Sequence, residues 1–168
     1  VGYMSFMFQN ANTFNQNIGS KQVTVNGTTY TAWDTANVIY MQYMLNCLVF
    51  NNNGSNSIGN WNTSKVENMQ GLFQGTNTAA VSPFNQNINT KSVTINGVSY
   101  TAWDTSSVTL MGSMFYLTDM NSDISDWDTS NVTSMSYMFA NTTSFNQPLG
   151  NWNAVSYTHL RAHETRIH

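Results

Sequence analysis

The sequence has few charged residues: Asp, Glu, Lys and Arg together make up 8% of its 168 residues. Both Arg and all three His fall within the last ten residues, so the body before them carries only Lys21, Lys65 and Lys91 as cations. These lysines are far apart in the sequence, whereas phosphate backbones are bound by clustered Lys and Arg. We therefore expect no nucleic-acid partner.

The sequence lacks the residues that several kinds of chemistry require. A single cysteine, Cys47, excludes an internal disulfide and a cysteine-rich metal site. Without His in the body, Ser-His-Asp and Cys-His nucleophilic chemistry are excluded. No apolar run approaches the ~18 residues of a membrane-spanning helix. The sequence thus predicts a protein that is not an enzyme, needs no cofactor or metal, and does not insert into a membrane within this chain.

A group of carboxylates near the C-terminal end raises one alternative. Asp123, Asp126 and Asp128 are close in sequence and could supply oxygens to Ca²⁺. However, Asp128 also occupies a position that recurs along the chain, where it is expected to cap the segment that follows. The capping interpretation is the one we adopt.

The chain does contain a repeat that begins with Trp, then Asp or Asn, then Thr. Val follows five residues after each of the first four Trp, Met eight residues after, and Met or Leu eleven residues after. This spacing predicts one buried face of a short helix or 3-10 segment, which the Asp/Asn side chain would cap. The residues predicted to form the structural core are Trp33, Trp61, Trp103, Trp127, Met41, Met69, Met111 and Met135.

About ten residues further on, each repeat has a Phe-Asn-Gln-x-Ile pattern or a variant of it. The clearest copies are residues 14–18, 84–88 and 145–149. Apolar residues at alternating positions predict one short parallel strand per repeat, with neighbours ~4.8 Å apart. The Asn at a fixed position predicts either a ladder, in which each amide binds backbone groups of the next repeat, or a residue that fills a turn.

Two insertions interrupt the repeat, at about residues 21–31 and 91–101. Each places Asn-Gly between two β-branched runs, which is a strong signal for a β-hairpin. Insertions in repeat proteins tend to lie on the binding face, although these hairpins could equally cover an edge. The residues predicted to bind a partner are Gln22, Thr24, Thr29, Tyr30, Thr94, Ser99 and Tyr100.

The full pattern reads Trp-Asp-Thr-Ser-x-Val-x-x-Met-x-x-Met-Phe, then Phe-Asn-Gln-x-Ile-x-x-Trp, and residues 127–152 match it best. It resembles the roughly 25-residue repeat of mycoplasma and Listeria-type surface lipoproteins, and looks like a branch of the BspA-type leucine-rich repeats. The resemblance implies a leucine-rich-repeat-like solenoid, export to the bacterial cell surface, and non-enzymatic contacts with a host or neighbouring-cell protein or glycan. It carries over no catalytic residues.

We expect a single repeat domain over residues 1–154, cut at both ends because the chain starts inside a repeat. The pattern breaks at Ala154, and residues 155–168 resemble a translated sequencing adapter, so they are treated as a non-native tail. That tail contains His159 and His163 at a spacing seen in zinc sites, but a third ligand is missing.

The predicted fold is therefore a solenoid of short parallel β-strands, one per coil, with short helical or 3-10 segments and two inserted hairpins. The first functional hypothesis is adhesion through a polar, Asn/Thr/Tyr-rich surface. The second is a carbohydrate-binding module of a secreted enzyme, which exposed rows of Trp or Tyr would favour. The third is an architectural stalk with no ligand of its own, which a uniformly polar surface without a concavity would favour.

Overall fold

The computed structural model describes residues 2–153. Regular secondary structure in this part of the chain is sparse. Four five-residue strands, β1 (Lys21–Val25), β2 (Thr28–Ala32), β3 (Lys91–Ile95) and β4 (Val98–Ala102), form two separate antiparallel sheets, β1–β2 and β3–β4. Two short 3-10 helices span Asn52–Gly54 and Asn56–Asn60. The remainder consists of turns and extended segments.

The predicted leucine-rich-repeat-like solenoid, with one parallel strand per coil, is wrong. Among residues 2–153 the strands are all antiparallel and belong to the two hairpins. Parallel pairing between repeat units is limited to isolated single bridges, such as Tyr40 to Asn68 and Asn68 to Leu110. The units contact each other through these bridges, through backbone hydrogen bonds between turns, such as Tyr43 N–H to the Gln70 carbonyl at 2.9 Å, and through side chains. They do not form a continuous parallel sheet.

The Val-Met-Met spacing forms turns, so the predicted helical segment is also wrong. The residue two positions after the repeat Met has a positive φ, at 53° for Tyr43, 59° for Gly71 and 55° for Ser113. One residue further, the backbone N–H donates back to the Met carbonyl, as from Leu72 to Met69 at 3.1 Å. These are features of a β-turn with a left-handed third residue. A right-handed helix cannot continue through such a residue, yet the three-residue spacing still buries the Met side chains.

The Phe-Asn-Gln segments are extended but do not form strands. Residues 81–88 alternate strictly between exposed and buried, as an extended chain does. However, the Asn85 N–H and the Gln86 side-chain amide both donate to Asn51 Oδ1, at 3.2 and 2.6 Å. A side-chain oxygen thus takes the place that a neighbouring backbone carbonyl would have in a sheet. The alternation was correctly predicted, and the strand assignment drawn from it was wrong.

Of the two alternatives predicted for the fixed Asn, these contacts bear out the ladder, in which each amide oxygen accepts from the backbone of the next unit. Asn15 Oδ1 accepts from Asn51 N at 2.8 Å, and Asn85 Oδ1 accepts from Asn121 N at 2.9 Å. Asn121 Oδ1 in turn accepts from Asn146 N at 2.8 Å. The ladder therefore connects successive units along the described chain without a backbone sheet.

Tryptophan rings stack through the core. The Trp103 ring stacks on Trp61 and on Trp127, with centroids 6.1 and 5.8 Å apart. Its indole N–H donates to the carbonyl of Ile58 one unit earlier, at 2.9 Å, which satisfies a buried donor. Trp33 is the exception among the predicted core residues, because it is only half-buried. The predicted core methionines are all buried, namely Met41, Met69, Met111 and Met135.

The two predicted hairpins are confirmed. The second strand of each ends one residue later than expected, at Ala32 and at Ala102. Asn26 and Gly27 have φ of 51° and 78°, and Asn96 and Gly97 have φ of 52° and 75°. Left-handed geometry at both central residues defines the type I′ turn, whose twist matches that of the paired strands. Asn and Gly are the residues that adopt it at least cost, so the local sequence alone dictates this turn.

Candidate functional site

The second hairpin, β3–β4, touches the first, β1–β2, at its tip. At its tip, Asn96 Nδ2 donates to Thr31 Oγ1 at 2.9 Å. On its inner face, the Tyr100 hydroxyl donates to the Asn60 carbonyl at 2.5 Å. Ile95, beside the turn, is 9% exposed. The second hairpin thus extends over the repeat that lies between the two insertions in the sequence, and its tip meets the first hairpin.

A cavity of about 130 Å³ lies between the hairpins and the Asp34-Thr35 segment that follows the first hairpin. We call it the hairpin cleft. Small-molecule pockets are typically roughly 300–1,000 Å³, so this cleft is sized for one side chain or one terminal group and not for a cofactor. Its lining residues are Ser20, Thr31, Asp34, Thr35, Ala36, Asn62, Ile95, Val98 and Tyr100.

Asp34 provides the charge of the hairpin cleft. One carboxylate oxygen, Oδ1, accepts from the Ala36 N–H at 3.0 Å and holds the turn. The other oxygen has no hydrogen bond to any described residue, and the side chain is exposed. The pKa of the Tyr100 hydroxyl is raised, first by burial and then by the negative charge of Asp34. The Asp34 charge therefore acts on the Tyr100 hydroxyl.

Thr35, next to Asp34, departs from the pattern of the other units. At the equivalent position Thr63 Oγ1 donates to the Asp104 carbonyl at 2.8 Å. Thr105 Oγ1 makes the same bond to the next unit, at 2.9 Å. Thr35 is 1% exposed, and its hydroxyl has no hydrogen-bond partner. A buried hydroxyl without a partner is costly, and it lies where the cleft interrupts the regular contact between units.

The opposite wall of the hairpin cleft is apolar. It is formed by Ile95, by Val98, which is 64% exposed, and by the half-buried Tyr100. Ile95 and Val98 flank the Asn-Gly turn of the second hairpin and form its last pair in the ladder. The cleft therefore combines an acidic and hydroxyl-bearing wall with an apolar and aromatic one.

Of the residues predicted to bind a partner, the structure brings only Tyr100 into the hairpin cleft. Gln22, Thr24, Thr29, Tyr30, Thr94 and Ser99 are exposed on the hairpins. Two pairs among them bond across the strands, with Thr24 and Thr29 hydroxyls 2.9 Å apart and Thr94 and Ser99 hydroxyls 2.8 Å apart. These exposed faces remain a predicted contact surface.

Sequence reasoning missed Asp34 and Thr35 because they belong to the repeat, which was interpreted as structural. It missed Ile95 and Val98 because their place in the cleft depends on a contact with a distant segment. A signal was present in the position of Asp34 and Thr35, which directly follow the first insertion. A second signal is the more apolar pair beside the second Asn-Gly turn, where the first hairpin has Val25 and Thr28.

The described residues contain no group of three or more His, Cys, Asp or Glu side chains that could hold a metal ion. Asp123 and Asp126 instead receive hydrogen bonds from Asn89 Nδ2, at 3.3 and 3.0 Å. His159 and His163, and the tail that contains them, lie outside the described residues. Within residues 2–153, no helix has the length and apolar character needed to cross a membrane.

Exposed aromatic rings occur in the first units of the chain, on the first hairpin and in the last unit. Tyr3 is 69% exposed and stacks on Tyr40, with ring centroids 5.2 Å apart. Phe6 is 49% exposed and stacks on Tyr43 at 5.6 Å. Because Tyr3 and Phe6 each use a face to stack on a neighbour, this row is not a flat platform of open ring faces. Tyr30 and Tyr137 are also exposed, at 47% and 58%, and stack on no described ring.

These features define a repeat protein whose units are joined by indole and asparagine ladders and interrupted by two hairpins. A family model matches the chain in three overlapping segments, residues 1–31, 21–98 and 89–163. The chain belongs to this family, described as Mycoplasma protein of unknown function, DUF285. The match fits the mycoplasma-type repeat and gives no support to the BspA-type leucine-rich-repeat branch. Comparison with curated proteins and with solved structures found no match.

Proposed function

We propose that this protein is a non-enzymatic, bacterial cell-surface repeat protein that acts in adhesion. Its paired hairpins would contact proteins or glycans of host or neighbouring cells. The observation that carries the proposal is that two inserted hairpins, 70 residues apart in sequence, meet at one point and both line one cleft. Gln22, Thr24, Thr94 and Ser99 on these hairpins are exposed, so they are available for contact with a partner.

Protein is the partner class that the aromatic geometry favours. Sugar rings bind to open aromatic faces, and Trp103 and Trp127 are buried in a stack of rings. Tyr3 and Phe6 are exposed but each stacks on a neighbouring ring. Tyr30 and Tyr137 are exposed and unstacked, but they are single rings in different parts of the chain. The carbohydrate-binding-module hypothesis is correspondingly weaker. The hairpin cleft gives the surface a concavity, which speaks against a stalk with no ligand of its own.

The proposal is tested by applying the full chain to arrays of host matrix proteins and of glycans. A double variant, Thr24→Lys with Thr94→Lys, changes both hairpins. Its matched control, Thr78→Lys with Thr143→Lys, makes the same change at exposed sites outside them. Binding to array members that is lost in the hairpin variant and kept in the control supports the proposal. Binding to no member, or equal loss in both variants, would overturn it.

The extracellular location belongs to the same proposal and has its own test. Antibody labelling of intact cells of the source organism, compared with permeabilised cells, reports whether the epitope lies outside. Labelling of intact cells supports surface display. Labelling that requires permeabilisation contradicts it.

A further inference from the structure

We propose that the hairpin cleft binds one basic side chain, Lys or Arg, of a partner protein. The inference rests on the proposed contact function and names the chemistry that one part of the contact surface recognises. It is carried by three independent features of the cleft: its unpaired acceptors, its apolar wall and its size.

The acceptors come from the acidic wall. Asp34 has one carboxylate oxygen that no described residue binds, and the Thr35 hydroxyl is buried without a partner. No Lys or Arg lines the cleft, so this charge is not neutralised from within. The Asp34 carboxylate thus offers a site for an ammonium or guanidinium group. Hydrogen bonds between such charged groups are stronger than those between neutral groups.

The apolar wall matches the rest of a basic side chain. Lys and Arg have apolar stems that pack along apolar surface while the charged head reaches a polar partner. Ile95 and Val98 provide such a surface, and the Tyr100 ring can attract a cation placed over its face. Val98 is 64% exposed, so the approach from solvent is open.

The charge of the whole body favours the same class of partner. Before the tail, three Lys oppose seven Asp and Glu, which gives a net charge near −4. A partner with basic side chains would be attracted over distance as well as in contact. A cavity of about 130 Å³ accommodates one such side chain and excludes a bulky cofactor.

The chain supplies its own matched variants for the test. Asn62 occupies the position of Asp34 in the next unit, and its Oδ1 accepts from the Ser64 N–H at 3.2 Å. Asp34→Asn therefore keeps the turn and removes only the charge. Asp128→Asn makes the same change at the same repeat position outside the cleft, where Asp128 Oδ1 accepts from Ser130 N at 2.9 Å.

The probe is N-acetyl-lysine methylamide, titrated into the full chain and followed by NMR. The expected result is saturable shifts of the Ile95, Val98 and Tyr100 signals. Asp34→Asn is expected to weaken binding about tenfold, because a bond to a charged group is lost, and Asp128→Asn is expected to leave it unchanged. The neutral isostere N-acetyl-norleucine methylamide is expected to bind at least as weakly to wild type as the lysine probe binds to Asp34→Asn.

Four outcomes would overturn the inference. These are no saturable shift at the cleft, equal binding of the norleucine probe, equal loss in both Asn variants, and tighter binding of N-acetylglucosamine at the same residues. Failure here is distinguishable from failure of the proposed function. Array binding that requires the hairpin faces but is insensitive to Asp34→Asn overturns this inference alone, whereas a lysine site without any array binding overturns only the adhesion proposal.

Discussion

The two hairpins have the same topology, register and turn, but their environments differ. In the first hairpin Val25 is 50% exposed and Tyr30 is 47% exposed. At the equivalent positions of the second hairpin, Ile95 is 9% exposed, and Tyr100 is half-buried with its hydroxyl bonded to the Asn60 carbonyl. The second hairpin is packed onto the preceding units, while the same face of the first is open to solvent.

The difference shows that forming a hairpin and docking it are separate events. The Asn-Gly turn and the strand pairs depend on the ten or so residues of each insertion, which are nearly the same in both. Docking depends on what lies upstream: the second hairpin meets Thr31 of the first through Asn96. The first hairpin meets no earlier hairpin within residues 2–153. The hairpin cleft exists because the tip of the second hairpin reaches Thr31 of the first and the residues around it.

The largest expected difference in stability is between Ile95, which is nearly buried, and Val25, its exposed equivalent in the first hairpin. Ile95→Ala removes a nearly buried side chain and is expected to lower the free energy of unfolding by about 2 kcal/mol. Val25→Ala changes an exposed residue and is expected to cost under about 1 kcal/mol. Urea denaturation of both variants measures the difference. Equal costs would mean that the second hairpin is not docked as the structure shows.

A smaller effect is expected at the paired tyrosines. Tyr100→Phe removes the hydroxyl that donates to the Asn60 carbonyl at 2.5 Å, and the expected cost is about 1 kcal/mol. Tyr30→Phe removes a hydroxyl with no bond to any described residue, so its effect is expected within about 0.5 kcal/mol. The same denaturation experiment applies. A cost at Tyr30 as large as at Tyr100 would contradict the assigned hydrogen bond.

The smallest expected effect is electrostatic and lies within the hairpin cleft. Because Asp34 contributes to the raised pKa of Tyr100, Asp34→Asn is expected to lower that pKa, which stays above its usual value because burial is the larger cause. Asp128→Asn is the control and should not change it. NMR of ¹³C-labelled tyrosine over pH, with Tyr100→Phe for assignment, measures the shift. If the pKa of Tyr100 does not decrease in Asp34→Asn, the Asp34 carboxylate does not act on the Tyr100 hydroxyl.

The sign of the accompanying stability change follows from the raised pKa. The folded state holds the Tyr100 proton more tightly than the unfolded state, so this contribution is complete below the usual tyrosine pKa. It is lost as the pH rises through the folded-state pKa. Wild type is therefore expected to lose more stability than Asp34→Asn over that alkaline range. The reverse order in denaturation curves would contradict the assignment.

Several elements were predictable from the sequence because each depends on local geometry or on periodicity. Asn26-Gly27 and Asn96-Gly97 dictate their turns through the backbone freedom of Asn and Gly. The regular spacing of Met69 and Met111 from their preceding Trp places them in the core, whatever the backbone conformation between them. The asparagine ladder was one of two alternatives predicted from the fixed position of residues such as Asn85.

The missed features depend on competition between hydrogen-bonding groups from distant segments. Alternation at residues 81–88 predicts an extended chain, but it does not say whether a backbone carbonyl or the Asn51 side chain will accept the Asn85 N–H. Likewise, spacing by three and four is common to helices and to successive turns. The left-handed φ of Tyr43, at 53°, is not favoured by its residue type and becomes visible only in the structure.

By itself, the sequence determined the repeat, the residues of its core and the shape of each hairpin, because these follow from local backbone preferences and from the burial of apolar side chains. Only the tertiary structure decided that the units join through backbone bonds between turns, side-chain amides and indoles, and not through a continuous parallel sheet. It also decided that Asp34, Ile95 and Tyr100 line one cleft. These segments are some sixty residues apart, and contacts between them depend on which groups the packing of the whole chain leaves without a partner.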